Sequence, residues 1–471
     1  MHMPQNANQR ITVPVVYIMA MFMAVMDTTI VNVALPTIAN EFHTRPGEIG
    51  QVSSAYLISL TIFIPVSGWL GDRLGGKLAL LGSIAVFTIA SALCGLSTDF
   101  TMLVIFRIMQ GIGGAIMTPV GLSMLFRVYP PAERVRIAGI IAIFTAIAPA
   151  LGPILGGLFT TYLSWRMVFF VNVFIGTLIC LYGALQLTKH TQRHPGKFDW
   201  QGFCLSGLGL GMTMYAISEG SLIGWAHPVV LCTLIIGILL LIGMVITESK
   251  SPYPLVNLHL LRNRLFTLCT SLYGLGSISY LGALYLAALF LQDVQGKSAL
   301  QAGLTTFPSA IGVVLGGQLV ARKLYRRFGP RRIVVVGLLV IALTLICMSR
   351  VTLYTNLWYI RLVMFGLGLG VAAVFISSQT ASMATIDKIR TGQASSIFNS
   401  SKQLGSAIGV AISTILLSSL TYPNGTNTHN TVQLPGYHAG FLAGALTAAL
   451  SLVVALMIRD DDARQSMEKA K

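Results

Sequence analysis

One acidic side chain, Asp27, lies deep inside an uncharged apolar stretch, and one basic side chain, Arg107, lies inside another. A carboxylate in a membrane span costs about 2.5–3.5 kcal/mol unless it faces water or a partner, so such residues usually serve function. Burial favours the neutral acid and a nearby arginine favours the carboxylate, so the pair could bind and release a proton. The alternatives are a static ion pair and an arginine that extends to the membrane surface.

The composition of the chain indicates where these two residues must sit. Of its 471 residues, 54% are hydrophobic and 10% are charged, whereas soluble proteins carry about 25% charged residues. Apolar runs of about 20 residues, long enough to cross a bilayer as helices, recur along the chain. We therefore expect an all-α polytopic membrane protein and exclude an ordinary soluble enzyme.

Fourteen membrane spans are predicted from these runs. They lie near 14–35, 48–70, 77–97, 101–122, 137–159, 167–187, 201–218, 227–247, 265–291, 301–320, 333–349, 355–380, 391–419 and 438–458. At 1.5 Å per residue, Asp27 lies ~12 Å and Arg107 ~9 Å from the outer ends of their spans, so the two side chains can meet.

The distribution of basic residues predicts the orientation of the chain. Most of the 31 Lys and Arg residues fall in loops on the side of the termini, and the opposite side holds Arg45, Arg166, Lys297 and Arg350. By the positive-inside rule, both termini are expected in the cytoplasm. The net charge of +16 is then explained by topology and contact with lipid headgroups, and no nucleic-acid partner is expected.

An internal repeat divides the chain. Segment 68–77 resembles 317–332, and an arginine lies at a similar depth in 103–107 and 357–361. We predict an N-terminal six-helix bundle over 1–190, an inserted two-helix hairpin over 191–260, and a C-terminal six-helix bundle with its tail over 261–471. Two related bundles around a central cavity are typical of a transporter.

Several segments carry a family resemblance. They are 26–36, 68–77, 103–115, 148–157, 164–172, 291–308 and 392–411. In this order they resemble the motifs of the major facilitator superfamily, specifically its fourteen-span drug:proton antiporter family. Gly76, Phe174 and Lys402 replace a basic residue, a proline and an arginine that the family more often has at these positions.

The resemblance implies a bacterial inner-membrane protein and functions for three groups of residues. Asp27 would couple transport to protons, with Arg107 as its electrostatic partner. An antiporter motif on span five would seal the bundle on its outer side, and a cytoplasmic loop would latch the two halves. The motif comprises Gly152, Pro153, Gly156 and Gly157, and the latch comprises Gly68, Asp72, Arg73 and Lys77. Generic membrane-helix glycines and a solvated basic loop are the alternatives.

Five polar residues within spans could line a substrate cavity, and interhelical hydrogen bonding is an equally good interpretation for each. They are Asn32, Gln110, Gln379, Asn399 and Gln403. A phosphate-binding loop, a catalytic set and metal-ligand spacing are absent from the sequence, so no cofactor is expected and the proton-motive force would supply the energy.

The resulting hypothesis is a monomeric, proton-coupled exporter of hydrophobic, amphipathic or monovalent cationic compounds that works by alternating access. Its partners would be lipophilic substrates, protons, membrane lipids and a periplasmic adaptor protein if one is needed. A proton-coupled importer or exporter of a specific metabolite or lipid-like molecule is one alternative, and a membrane sensor or accessory subunit is another.

Overall fold

The computed structural model describes residues 7–44, 48–188, 196–252, 254–387, 390–421 and 434–467. These residues are mostly α-helical. The helices are α1 (Ala7–Phe42), α2 (Gln51–Phe63), α3 (Val66–Leu74), α4 (Gly76–Gly95), α5 (Phe100–Val128), α6 (Pro131–Tyr162), α7 (Met167–Gln186), α8 (Trp200–Ile223), α9 (Pro228–Glu248), α10 (Arg264–Leu289), α11 (Ala299–Thr306), α12 (Pro308–Leu319), α13 (Tyr325–Met348), α14 (Leu357–Ser382), α15 (Thr391–Thr421), α16 (Leu434–Leu456) and α17 (Arg464–Met467).

Each predicted span coincides with a helix or with a pair of consecutive helices. Ten described stretches are long and apolar enough to cross a membrane, or eleven if α2 and α3, bent by 62°, form one span. One stretch, Leu300–Met348, covers two predicted spans, and α8 and α15 fall outside the set. The all-α polytopic fold is thus confirmed, whereas the number fourteen stays a prediction.

Side-chain caps and prolines explain where several helices begin and break. Asp99 accepts a hydrogen bond from the Met102 amide at the start of α5, which satisfies one of the free N–H groups at a helix N-terminus. Pro65 separates α2 from α3, and Pro308 is the first residue of α12. Proline lacks an N–H and so interrupts or starts a helix.

The first and last described residues lie at one end of the helix assembly, which we call the terminal face; the opposite end is the distal face. Arg10 forms a 3.6 Å ion pair with Glu133 at the start of α6, and the Tyr129 hydroxyl donates to the Arg10 carbonyl. Met467, near the C-terminus, packs against the cluster that contains Val135.

The helices pack as an N-terminal bundle (α1–α7), a hairpin (α8–α9) and a C-terminal bundle (α10–α16). Helix α8 contacts both α2 and α15. Its Gly207 and Gly211 lie against Ile62, and the Ser54 and Ser218 hydroxyls are 2.6 Å apart. The hairpin therefore packs closely on the N-terminal bundle and also contacts the C-terminal one.

The two bundles meet in the terminal half of the molecule. Arg134 of α6 is buried and donates to the Met383 carbonyl at 2.7 Å, where α14 ends. Ser396 donates to the Ile64 carbonyl at 2.9 Å. One hydrophobic cluster includes side chains from both bundles, and further hydrogen bonds join the bundles in this half. The structure is thus closed at the terminal face.

Candidate functional site

Asp27 and Arg107 meet, as their depths in the sequence predict. Arg107 Nη1 donates to Asp27 Oδ2 at 2.6 Å, and the two side chains are 0% and 1% exposed. Asp27 Oδ1 accepts hydrogen bonds from Gln110 at 3.0 Å and from Asn172 at 2.7 Å. The carboxylate thus receives donors from α5 and α7 while α1 carries it.

Arg107 is held by more than its acidic partner. Its Nε donates to the Val52 carbonyl at 3.0 Å, and its Nη1 also donates to Gln110 Oε1 at 2.6 Å. The guanidinium group lies 4.4 Å from the centre of the Tyr56 ring, a cation–π distance. Arg107 therefore does not extend to the membrane surface.

Three residues of this site are not among the sequence candidates. Ser91 Oγ accepts from Gln110 at 3.2 Å and from Asn172 at 3.4 Å. Tyr56 provides the ring beneath Arg107. Asn172 lies in the recognised segment 164–172, and a buried amide in a span was the signal that could have found it.

The geometry defines what the site can do. Removing one partner of a buried ion pair costs about 3–5 kcal/mol because a charge is left without compensation. A proton on Asp27 would remove that charge and turn one carboxylate oxygen from an acceptor into a donor. Protonation must then rearrange at least one bond to Arg107, Gln110 or Asn172.

The predicted latch residues lie where the bundles meet at the terminal face. Asp72 Oδ1 pairs with Arg127 at 2.9 Å, and Arg127 Nε donates to the Thr391 hydroxyl at 3.1 Å. A β-carbon at Gly68 would lie 3.2 Å from the Gln393 backbone. Asp72 and Gly68 are thus placed against the first turn of α15, where a carboxylate is favoured by the helix dipole.

Arg73 and Lys77 do not take part in that contact. Arg73 is exposed and lies over the Trp69 ring at 5.3 Å. Lys77 donates to the carbonyls of Ala184 and Leu187 at 2.7 and 2.6 Å, at the C-terminal end of α7. Lys77 therefore joins helices within the N-terminal bundle.

The glycines of the antiporter motif have unequal surroundings. A β-carbon at Gly152 would overlap the Thr29 hydroxyl, and one at Gly156 would lie 3.0 Å from the Ile30 carbonyl. Nothing lies within 4 Å of such an atom at Gly157. Gly152 and Gly156 thus allow α6 to approach α1 near Asp27, and the side chain of Pro153 lies outside the described part of the structure.

The five candidate cavity residues fall in different environments. Gln110 is fully buried in the Asp27 site. Asn32 is exposed and accepts from Ser53 at 2.8 Å, and Asn399 is buried and donates to the Ser395 carbonyl at 2.8 Å. Gln379 and Gln403 are half-buried. The structure does not bring these five together.

The described residues contain no group of three or more His, Cys, Asp or Glu side chains that could hold a metal ion.

Comparisons with known proteins agree with this architecture. The profile of the Major Facilitator Superfamily matches residues 17–410. The chain is 30% identical to the tetracenomycin C resistance and export protein of Streptomyces glaucescens over 403 residues, covering 84% of this chain and 74% of the relative. It is 30% identical to the putative multidrug resistance protein MdtD of Pectobacterium atrosepticum over 440 residues, covering 93% and 92%.

A solved structure shows the same fold. The human organic anion transporter MFSD10 superposes with a TM-score of 0.67 at 16% identity, covering 96% of this chain and 100% of that one. The names of these two relatives, a resistance and export protein and a putative multidrug resistance protein, are consistent with the drug:proton antiporter branch. The chain therefore belongs to the Major Facilitator Superfamily, whose members are multi-pass membrane transporters rather than enzymes.

Proposed function

We propose that this transporter exports hydrophobic or amphipathic compounds in exchange for protons, with the terminal face in the cytoplasm of a bacterial inner membrane. The observation that carries the proposal is that α5 belongs to two sites. Its first half holds Arg107 and Gln110 against Asp27, and its last turns hold Ser123 and Arg127 against Thr391 of the other bundle.

This arrangement gives a physical route from proton to conformational change. Protonation of Asp27 removes the charge that fixes Arg107, so α5 can shift relative to α1 and α7. A shift of α5 displaces Ser123 and Arg127 and so weakens closure at the terminal face. Proton binding would therefore favour the state that is open to the cytoplasm, where release of the proton and binding of substrate complete the exchange.

The export direction has its own support. The resemblance of segment 148–157 to the antiporter motif and the similarity to two proteins named for drug resistance or export favour it over an importer. The energy source would be the proton-motive force. The transporter would act as a monomer, with a periplasmic adaptor protein as a further partner if one is needed.

The test is transport in proteoliposomes with an imposed pH gradient. We expect Asp27→Asn to abolish gradient-driven accumulation because the amide keeps the size of the neutral acid and does not titrate. Asp99→Asn is the matched control, since asparagine also caps a helix. Normal gradient-driven transport by Asp27→Asn would contradict the proposal. Movement of protons in the same direction as the substrate, instead of in exchange for it, would indicate a proton-coupled importer.

A further inference from the structure

Helix α15 carries a polar stripe that faces the N-terminal bundle. We use this name for Thr391, Ser395, Asn399, Lys402 and Ser406, which follow one another at intervals of three or four residues and therefore share one helix face. Thr391 fixes the direction of that face, because its hydroxyl contacts Ser123 and Arg127 of α5.

The exposure of the polar stripe increases towards the distal face. Thr391 and Ser395 are 0% exposed and Asn399 is 7% exposed, whereas Lys402 and Ser406 are half-buried. The adjacent side of α15 packs on α10, where Ser401 donates to the Thr270 carbonyl at 3.2 Å. Lys402 thus lies where the polar stripe becomes accessible, on the distal side of the contacts that Thr391 makes with α5.

Lys402 is a cation without an acidic partner. Its side chain makes no ion pair or hydrogen bond with the residues that the structure describes. Asp27, the acidic residue that lies deep within a span, is committed to Arg107 and is fully buried. Charged groups inside a membrane protein face water or a partner of opposite charge, and the described residues do not supply that partner.

We infer that Lys402 is a recognition point for an acidic group, such as a carboxylate or phenolate, on an amphipathic compound that binds between the bundles. The inference rests on the proposed function and narrows its substrate class. The sequence analysis expects hydrophobic, amphipathic or monovalent cationic compounds, whereas the unpaired ammonium group at this position favours anions and repels cations.

The experiment measures equilibrium binding, so that it does not depend on proton coupling. Purified protein in phosphatidylcholine nanodiscs is titrated with pyrenebutyrate, its methyl ester and pyrenebutyl-trimethylammonium, which share one ring system and differ in charge. Because a hydrogen bond to a charged group contributes more than a neutral one, we expect pyrenebutyrate to bind about tenfold more tightly than the ester. The cation should bind more weakly still.

Two variants at Lys402 and one control variant test whether Lys402 causes the preference for pyrenebutyrate. Lys402→Gln should remove the preference for pyrenebutyrate, and Lys402→Arg should retain it, which also shows that the site tolerates substitution. Lys197→Gln removes the same charge from an exposed position outside the spans and should change nothing. Equal affinities for the three probes in the wild type, or a preference that survives Lys402→Gln, would overturn the inference.

Further outcomes separate the inference from the proposed function. Lys402-dependent binding without gradient-driven transport would leave the inference standing and refute proton-coupled export. Gradient-driven transport without a charge preference in binding would support proton-coupled export and refute the inference about Lys402. If phosphatidylglycerol in the nanodiscs displaces pyrenebutyrate from the wild type, the site binds a lipid headgroup, and the assignment to an exported compound is wrong.

Discussion

Asp27 shows how much depends on the donors that surround one carboxylate. Three side chains donate to it, and a buried carboxylate that loses a donor keeps a charge with less compensation. A change in any donor should therefore impair transport, even where the carboxylate itself is unchanged.

The first prediction concerns Asn172. Asn172→Leu removes the 2.7 Å donor to Asp27 and leaves the buried carboxylate with one hydrogen bond fewer, so gradient-driven transport should fall about tenfold. Transport by proteoliposomes under an imposed pH gradient measures this loss. Asn32→Ala, whose partner is Ser53, is the control, and unchanged transport by Asn172→Leu would remove Asn172 from the coupling site.

The sequence could identify part of this site and not the rest. A charged residue in an apolar span is conspicuous, so Asp27 and Arg107 were found. Ser91 and Asn172 were missed because hydroxyl and amide groups occur in membrane spans for many reasons, including bonds to their own helix. Arg127 was counted as a loop cation, and its pairing with Asp72 depends on the length of α5, which continues to Val128.

Helices α1 and α6 approach each other closely because of two glycines, and a third glycine nearby provides an internal control. Gly152→Val and Gly156→Val place atoms against Thr29 and Ile30, whereas Gly157→Val meets open space. We expect the first two variants to lose gradient-driven transport and part of their thermal stability in detergent, and Gly157→Val to retain both.

Overpacking of this kind costs about 1–3 kcal/mol. The result would be contradicted if all three variants transported equally, because the close approach of α6 to α1 would then be irrelevant to transport. Loss of binding of a probe ligand to the same degree as loss of transport would indicate that the glycines shape the binding site instead.

Helix α5 is also predicted to control closure at the terminal face. Arg127→Gln breaks the pair with Asp72 and the bond to Thr391, so the closed state is destabilised. Ser396 is buried between the bundles, so a cysteine at this position, in a variant without the native cysteines, reports on closure. A maleimide should label Ser396→Cys faster when Arg127→Gln is also present. Arg136→Gln, an exposed change on the same face, should leave the rate unaltered.

The element boundaries were predicted with uneven success. The breaks at Pro65 and Pro308 are not resolved by hydropathy, since the apolar runs continue across them, and the predicted spans near 48–70 and 301–320 are each two helices in the structure. Helix α1 extends past its predicted end at residue 35 to Phe42. Polar residues at a helix end lower hydropathy without ending the helix.

At the scale of the whole molecule, the hairpin should move together with the N-terminal bundle. The pair Ser54→Cys and Ser218→Cys replaces two hydroxyls that are 2.6 Å apart, and oxidation to a disulfide should leave transport intact. The pair Ser123→Cys and Thr391→Cys, at 3.3 Å, joins the two bundles and should stop transport until it is reduced. Inhibition by the first crosslink would show that the hairpin moves independently.

The two-bundle organisation was predicted from the repeat, but the closed terminal face was not. Alternating states share one sequence, so hydropathy and motif order carry no information about which state is adopted. The contacts of Arg134 with the end of α14 illustrate this, because the sequence marks Arg134 merely as one of many basic loop residues.

The position of the hairpin has a consequence for molecules dissolved in the bilayer. Because α8 contacts both α2 and α15, it stands across one of the two lateral seams between the bundles. Helix α9 packs on α8 and presents Ile235, Leu239 and Ile242 to its surroundings. An amphiphile that diffuses within a leaflet therefore meets a helical wall on this side, and at the opposite seam it meets α6 packed directly on α12.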